Sequence, residues 1–143
     1  MKPKLLLRIA AGLMLFHLAG HSIGQCTWKQ ATDPVKQAVI SQMTDHRFPF
    51  MGSIRSMGDY YEGFSYASSI ALLLLAVMLW LISGALTNSG SLAYKMTVTI
   101  TIALFVWSID EFFYFFPFAA CNTLLAALFT LAAVIQLKKQ VAP

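Results

Sequence analysis

Charged residues are scarce in this sequence: they make up 11% of its 143 residues, whereas 58% are hydrophobic. An ordinary soluble domain is about 25% charged and nearer half apolar. A chain of this size leaves much of its surface exposed, so it cannot hide the excess inside a water-soluble globule. The scarcity of charge therefore argues against a soluble enzyme and against a disordered tail, and it predicts an integral membrane protein.

Cysteine is also nearly absent, since Cys26 and Cys121 are the only two and form no CxxC motif. This argues against a zinc ribbon, a thioredoxin-like site and a disulfide-rich secreted module. Ten Lys and Arg against six Asp and Glu give a net charge of +4. Because the basic residues lie at the ends of apolar stretches, as they do beside membrane spans, we expect no nucleic-acid partner.

Four apolar stretches cover most of the chain, at residues 5–24, 63–86, 95–116 and 118–137. Each is about 20 residues long, enough for a helix to cross the hydrocarbon core of a bilayer. Arg8, two histidines and the lack of a small-x-small cleavage site favour an uncleaved first span over a signal peptide. The sequence thus predicts an all-α, up-down four-helix transmembrane bundle, a single integral membrane domain over residues 1–143.

The positions of the basic residues predict the orientation of the spans. Lys and Arg precede the first stretch, separate the second from the third and end the fourth, whereas none lies between the third and fourth. By the positive-inside rule, both termini are then cytoplasmic and residues 25–62 form a long outer loop.

The outer loop contains a helix signal of its own. Asp33 followed by Pro34 is typical of a helix N-cap and first helical residue. Apolar residues then recur at helical spacing as far as Met43, which predicts a short amphipathic helix on the membrane surface. After a break at residues 48–52, we expect a helical turn to carry Arg55, Asp59 and Glu62 into the second span.

Residues 50–65 carry a pattern, Met-Gly-x-x-Arg-Ser…Asp…Gly-x-Ser, at the entry to the second span. Together with a first helix that contains Gly and His, this segment resembles a family of small uncharacterised four-helix membrane proteins of bacteria. The resemblance implies a four-span fold in the bacterial inner (plasma) membrane. It implies no activity, cofactor or catalytic residue.

Ionisable residues inside spans are costly, and they usually face the interior of a bundle. Six of them are expected near the outer third of three antiparallel helices: His17, His21, Asp59, Glu62, Asp110 and Glu111. Asp110 and Glu111 are rotated by about 100° from each other, so both cannot face the axis, and we expect Glu111 to point inward. These residues predict one outward-opening polar cluster.

Several functions fit such a cluster. It could bind a lipid, an isoprenoid or a quinone-like molecule, or it could perform acid–base chemistry in a membrane-embedded isomerase or oxidoreductase. It could also only join helices in an accessory or assembly subunit. Two histidines four residues apart suit a metal, but the HExxH glutamate is absent, so we expect neither metal nor cofactor. Whether the protein is an enzyme stays open.

Two further pairs concern crosslinking and assembly. Cys26 follows the first span and Cys121 opens the fourth, both at the predicted outer face, so we expect a disulfide between them. Gly20 and Gly24, four residues apart, suit a close helix contact either inside the bundle or in an oligomer.

Overall fold

The computed structural model describes residues 2–86 and 90–141. Within these ranges, four helices are long and apolar enough to cross a membrane. In chain order the elements are α1 (Pro3–Thr27), α2 (Pro34–Asp45), β1 (Arg47–Phe50), β2 (Ser53–Ser56), α3 (Met57–Ala85), α4 (Gly90–Tyr114) and α5 (Pro117–Val141). The predicted all-α fold is confirmed, and the four long helices fit a multi-pass membrane protein.

The chain forms two compact units, of which unit 1 contains residues up to Leu18 and from Leu72 onward. Its core takes side chains from α1, α3, α4 and α5, including the fully buried Leu7, Met14, Leu79 and Leu104. Large apolar side chains on the opposite helix faces are exposed. Such faces are what helices present to lipid, whereas the buried stripe holds the helices together.

Helices α4 and α5 form a tight helical hairpin within unit 1. Residues 115 and 116 alone connect them, and the two helices pack along their length. Pro117 begins α5, where its missing N–H leaves no hydrogen bond unmade. The buried face of α5 is rich in alanine, with Ala126, Ala127 and Ala133 all at 0% exposure, and small residues of this kind let two backbones approach closely.

Unit 2 contains Ala19–Ala71, and α2 begins there as predicted. The Asp33 carboxylate accepts a hydrogen bond of 2.9 Å from the Lys36 N–H, and Pro34 is the first helical residue. No residue of α2 is fully buried; Ile40 and Met43 are half-buried, whereas Val35 and Val39 are exposed. Contact of the exposed side of α2 with a membrane surface stays a prediction.

A β-hairpin occupies the start of the helical turn that we predicted before the second span: Arg55 lies in a strand, whereas Asp59 and Glu62 lie in α3 as predicted. Strands β1 and β2 are antiparallel, with Phe48 opposite Arg55 and Phe50 opposite Ser53. The two turn residues, Met51 and Gly52, both have positive φ, at 47° and 82°. This is the conformation of a type I′ turn, whose twist matches that of the flanking strands.

Helix α3 begins earlier than the predicted boundary at Gly63. The Ser56 hydroxyl accepts from the Asp59 N–H at 3.1 Å, and the Asp59 carboxylate accepts from the Ser56 N–H at 2.9 Å. This reciprocal capping box satisfies two backbone donors at the helix start. The helix therefore starts at Met57, and at 29 residues it is longer than the roughly 20 needed to cross a bilayer.

Candidate functional site

Three polar side chains from three helices meet inside unit 1. The His17 imidazole on α1 lies with its Nε2 3.3 Å from the Glu111 Oε1 of α4. Its Nδ1 lies 3.0 Å from the hydroxyl oxygen of Thr123, on α5. The His17 and Glu111 side chains are 10% and 5% exposed, and Thr123 is completely buried. We call these three residues the His17 cluster.

The His17 cluster is a continuous chain from hydroxyl to imidazole to carboxylate. An ionised carboxylate only accepts hydrogen bonds, so Nε2 carries a proton when Glu111 is charged. Nδ1 then accepts from the Thr123 hydroxyl when the ring is neutral, or donates to it when the ring is protonated. The arrangement can therefore hold a proton on either side of the imidazole.

The second oxygen of Glu111, Oε2, is buried and has no hydrogen-bond partner among the described residues. Besides His17, the Thr123 hydroxyl and the Trp107 indole are the nearest hydrogen-bonding groups to the carboxylate, but neither meets hydrogen-bond geometry at Oε2. An unpaired buried acceptor is costly and rare in a native fold, so it indicates a donor that completes the site.

Neighbouring polar residues fix the helices around the cluster. The Asn122 amide donates to the Leu13 carbonyl at 3.0 Å, which joins α5 to α1 one turn from His17. The hydroxyls of Thr97, Thr101 and Ser108 on α4 donate to carbonyls of their own helix. They are buried together with Glu111, so this polar stripe of α4 faces the core.

Exposed aromatic side chains surround the connected end of the α4–α5 hairpin. We call them the aromatic collar: Phe112, Phe113, Tyr114, Phe115, Phe116 and Phe118. Aromatic residues of this kind concentrate at the boundary between hydrocarbon and water. Glu111 directly precedes the collar in the sequence, so the His17 cluster lies next to it along α4.

In unit 2, His21 and Gln25 connect α1 to α3. His21 Nε2 is 3.0 Å from the Ser65 carbonyl oxygen and 3.2 Å from the Ser65 hydroxyl. The Ser69 hydroxyl donates to the Gln25 side-chain oxygen at 3.0 Å. Both contacts join spans by polar side chains, as expected where water is scarce.

Two acidic residues of unit 2, Asp59 and Glu62, are engaged in contacts near the start of α3. Glu62 Oε1 accepts from the Lys29 ammonium at 2.7 Å and from the Trp28 indole at 3.3 Å. Asp59 lies 3.8 Å from the Arg47 guanidinium besides capping α3. Both carboxylates thus hold local structure together.

The six predicted site residues therefore have different surroundings. His17 and Glu111 contact each other in unit 1, whereas Asp110 is exposed on the other side of α4. His21, Asp59 and Glu62 bind partners inside unit 2. Thr123 was missed, although Asn122-Thr123 is a polar pair in an otherwise apolar helix and could have indicated it.

The predicted disulfide is wrong: Cys26 and Cys121 are both free thiols with exposed side chains. Cys121 lies on the outward face of α5 with Leu124 and Leu125, whereas the adjacent Asn122 faces the core. A disulfide requires two Cβ atoms that point toward each other, and Cys121 points away from the helices of unit 1.

No group of three or more His, Cys, Asp or Glu side chains that could hold a metal ion occurs in residues 2–86 and 90–141. Comparison of the chain with protein-family models, curated proteins and solved structures finds no significant match. The function therefore has to be inferred from the chemistry of the His17 cluster.

Proposed function

We propose that this is a multi-pass protein of the bacterial inner membrane whose His17 cluster binds the hydroxyl head of a lipidic molecule. The observation that carries the proposal is the buried Glu111 Oε2, which has no donor among the described residues. Isoprenoid alcohols, quinols and lipids with free hydroxyls all bear the required donor.

The polarity and depth of the cluster support this choice. A carboxylate oxygen needs a hydrogen-bond donor, and a hydroxyl supplies one without bringing a second charge into the bundle. The aromatic collar lies beside the cluster, at the level where the head of an amphiphile resides. An apolar tail would then extend along the exposed, lipid-facing sides of the helices.

The proposal predicts that Glu111→Gln weakens binding of a hydroxyl-bearing amphiphile by about tenfold or more, since a hydrogen bond to a charged group contributes about 1.5–3 kcal/mol. Farnesol and decyl-ubiquinol would be titrated into the purified protein and the bound fraction measured by native mass spectrometry. Asp110→Asn is the matched control, because it removes an equal charge from the exposed side of α4, and it should bind as the wild type does.

Equal binding by wild type and Glu111→Gln would contradict the proposal. It would mean that a water molecule, rather than a ligand, donates to Oε2. Equal loss in Asp110→Asn would show a general effect of charge. Decyl-ubiquinone, which lacks the hydroxyl donors, should bind more weakly than decyl-ubiquinol.

The alternative function is acid–base chemistry on the bound molecule, as in an isomerase or oxidoreductase. The continuous chain from the Thr123 hydroxyl through His17 to Glu111 favours it, because such a chain moves a proton without water. The same titration distinguishes the two: an extracted amphiphile of changed structure supports catalysis, and an unchanged one supports binding. If the protein is instead an accessory subunit that does not bind an amphiphile, the wild type and all the variants should show the same lack of binding.

The proposed orientation, with both termini cytoplasmic, predicts that Cys26 faces the periplasm. In a Cys121→Ser variant, a membrane-impermeant maleimide should label Cys26 in intact spheroplasts, because its thiol is exposed and lies in the last turn of α1. Lys139→Cys in a variant without native cysteines is the control, and it should react only after permeabilisation. Labelling of the Lys139→Cys variant in intact spheroplasts, and of Cys26 only after permeabilisation, would show the opposite orientation.

A further inference from the structure

An apolar groove runs along the outside of unit 1 between α1 and α3. Its volume is about 160 Å³, and its lining residues are Ala11, Leu15, Ala76, Val77, Trp80 and Leu81. Ala11 and Ala76 are buried and form the floor, whereas the larger residues are exposed and form the rims. The groove exists because small side chains on both helices leave space that their neighbours do not fill.

One end of this groove carries a positive charge. The Arg8 guanidinium carbon lies 4.6 Å from the centre of the Trp80 ring, which is a cation–π contact. Stacking uses the flat face of the guanidinium and leaves the N–H groups at its edge available. No hydrogen bond or ion pair to Arg8 occurs in the described parts of the chain.

The charge around Arg8 is of one sign. Unit 1 carries six basic residues, all toward the end at which α1 and α4 begin and α5 ends: Lys2, Lys4, Arg8, Lys95, Lys138 and Lys139. Its two acidic residues, Asp110 and Glu111, lie near the opposite end of α4. Among the described residues of unit 1, no carboxylate side chain lies near the Arg8 end, so this end attracts an anion.

We propose that the groove is a binding site for an anionic phospholipid. One acyl chain lies over Ala11 and Ala76, and the phosphate accepts hydrogen bonds from the edge of the Arg8 guanidinium. Arg recognises phosphate in this bidentate way, and Trp80 holds the guanidinium in place. The site is separate from the His17 cluster and does not depend on the function proposed for it.

A second copy of the chain is a poorer occupant of the same groove. In a symmetric dimer, the same patch meets itself, so each copy would bring its own Arg8 toward the other. Two unpaired cations in a low-dielectric interface repel each other strongly. The phospholipid instead supplies both the apolar chain and the negative charge.

The test compares phosphatidylglycerol with phosphatidylcholine of the same acyl chains. Purified protein would be titrated with each lipid and the bound stoichiometry read by native mass spectrometry. We expect Arg8→Gln to weaken phosphatidylglycerol binding by about tenfold or more, because it removes a charge-assisted hydrogen bond to an anionic headgroup. Phosphatidylcholine, whose choline offsets the charge of its phosphate, should bind the wild type more weakly and lose less affinity in this variant. Lys95→Gln, which removes an equal exposed charge on α4, should change phosphatidylglycerol binding by less than about twofold.

A second pair of variants tests the groove itself. Val77→Trp fills it from the rim and should abolish specific phosphatidylglycerol binding, whereas Val106→Trp, at an exposed site on α4, should not. Equal losses in Arg8→Gln and Lys95→Gln, or equal affinity for the two lipids, would overturn the site. A stable dimer that Val77→Trp dissociates would assign the groove to a second copy and also overturn it.

Discussion

Replacing His17 with Leu should destabilise the protein by about 3–5 kcal/mol, because it leaves a carboxylate buried without its partner. The Glu111 side chain is 5% exposed and its Oε1 lies 3.3 Å from the His17 ring. Unfolding in mixed micelles, followed by circular dichroism, measures the loss. His46→Leu, at an exposed position after α2, is the control and should change stability by less than about 0.5 kcal/mol.

The double variant His17→Leu/Glu111→Leu separates pairing from packing. Replacing both members of a buried pair by apolar residues is often nearly neutral, so the double variant should be more stable than His17→Leu alone. Additive losses in this cycle would mean that the two side chains do not interact. In that event the proposed ligand site would lose its geometric basis as well.

Ala126→Leu should destabilise the α4–α5 hairpin by about 1–3 kcal/mol or more, because it forces extra volume into a close contact. Ala126 has no exposed surface and lies on the alanine-rich face of α5. Ala103→Leu makes the same substitution on the exposed side of α4 and should be tolerated, since it adds a lipid-facing side chain. Similar unfolding free energies for the two variants would show that α5 does not pack through this face.

The four spans could be predicted because a helix that faces lipid must be apolar over about 20 residues, and hydropathy measures this property directly. The apolar stretch begins at Gly63, but the helix that contains it begins at Met57. Its start depends on the reciprocal hydrogen bonds of Ser56 and Asp59, which hydropathy does not detect. The Ser-x-x-Asp spacing was present in the sequence as a signal for this start.

The β-hairpin was missed for a different reason. Its turn uses Met51-Gly52 in place of the usual Asn-Gly, and Pro49 lies within the first strand. Proline lacks an N–H, but each strand of a two-stranded sheet has a free edge, where no donor is required. The local sequence therefore has a low propensity for a β-strand. The strand is stabilised instead by its pairing with β2 and by the stacking of Phe48 on Tyr60.

The contact between His17 and Glu111 could be anticipated from depth and helix rotation, since both are geometric properties of a regular helix. Thr123 was harder to anticipate, because a threonine in a membrane helix commonly donates to its own backbone, as Thr97 and Thr101 do here; its position beside Asn122 was the available signal. The disulfide prediction placed both cysteines on one side of the membrane but ignored helix rotation. Rotation directs Cys121 away from the core of unit 1.

The short connection between α4 and α5 has a consequence for how the chain enters the membrane during synthesis. No charged residue occurs from Phe112 to Gln136, so in the proposed orientation the connection crosses the bilayer without carrying charge. In that orientation Asp110 and Glu111 are the only charged residues of α4 and α5 that have to cross the bilayer. The tight α4–α5 hairpin is therefore suited to insert as one unit, because no basic residue has to be moved across the bilayer with it.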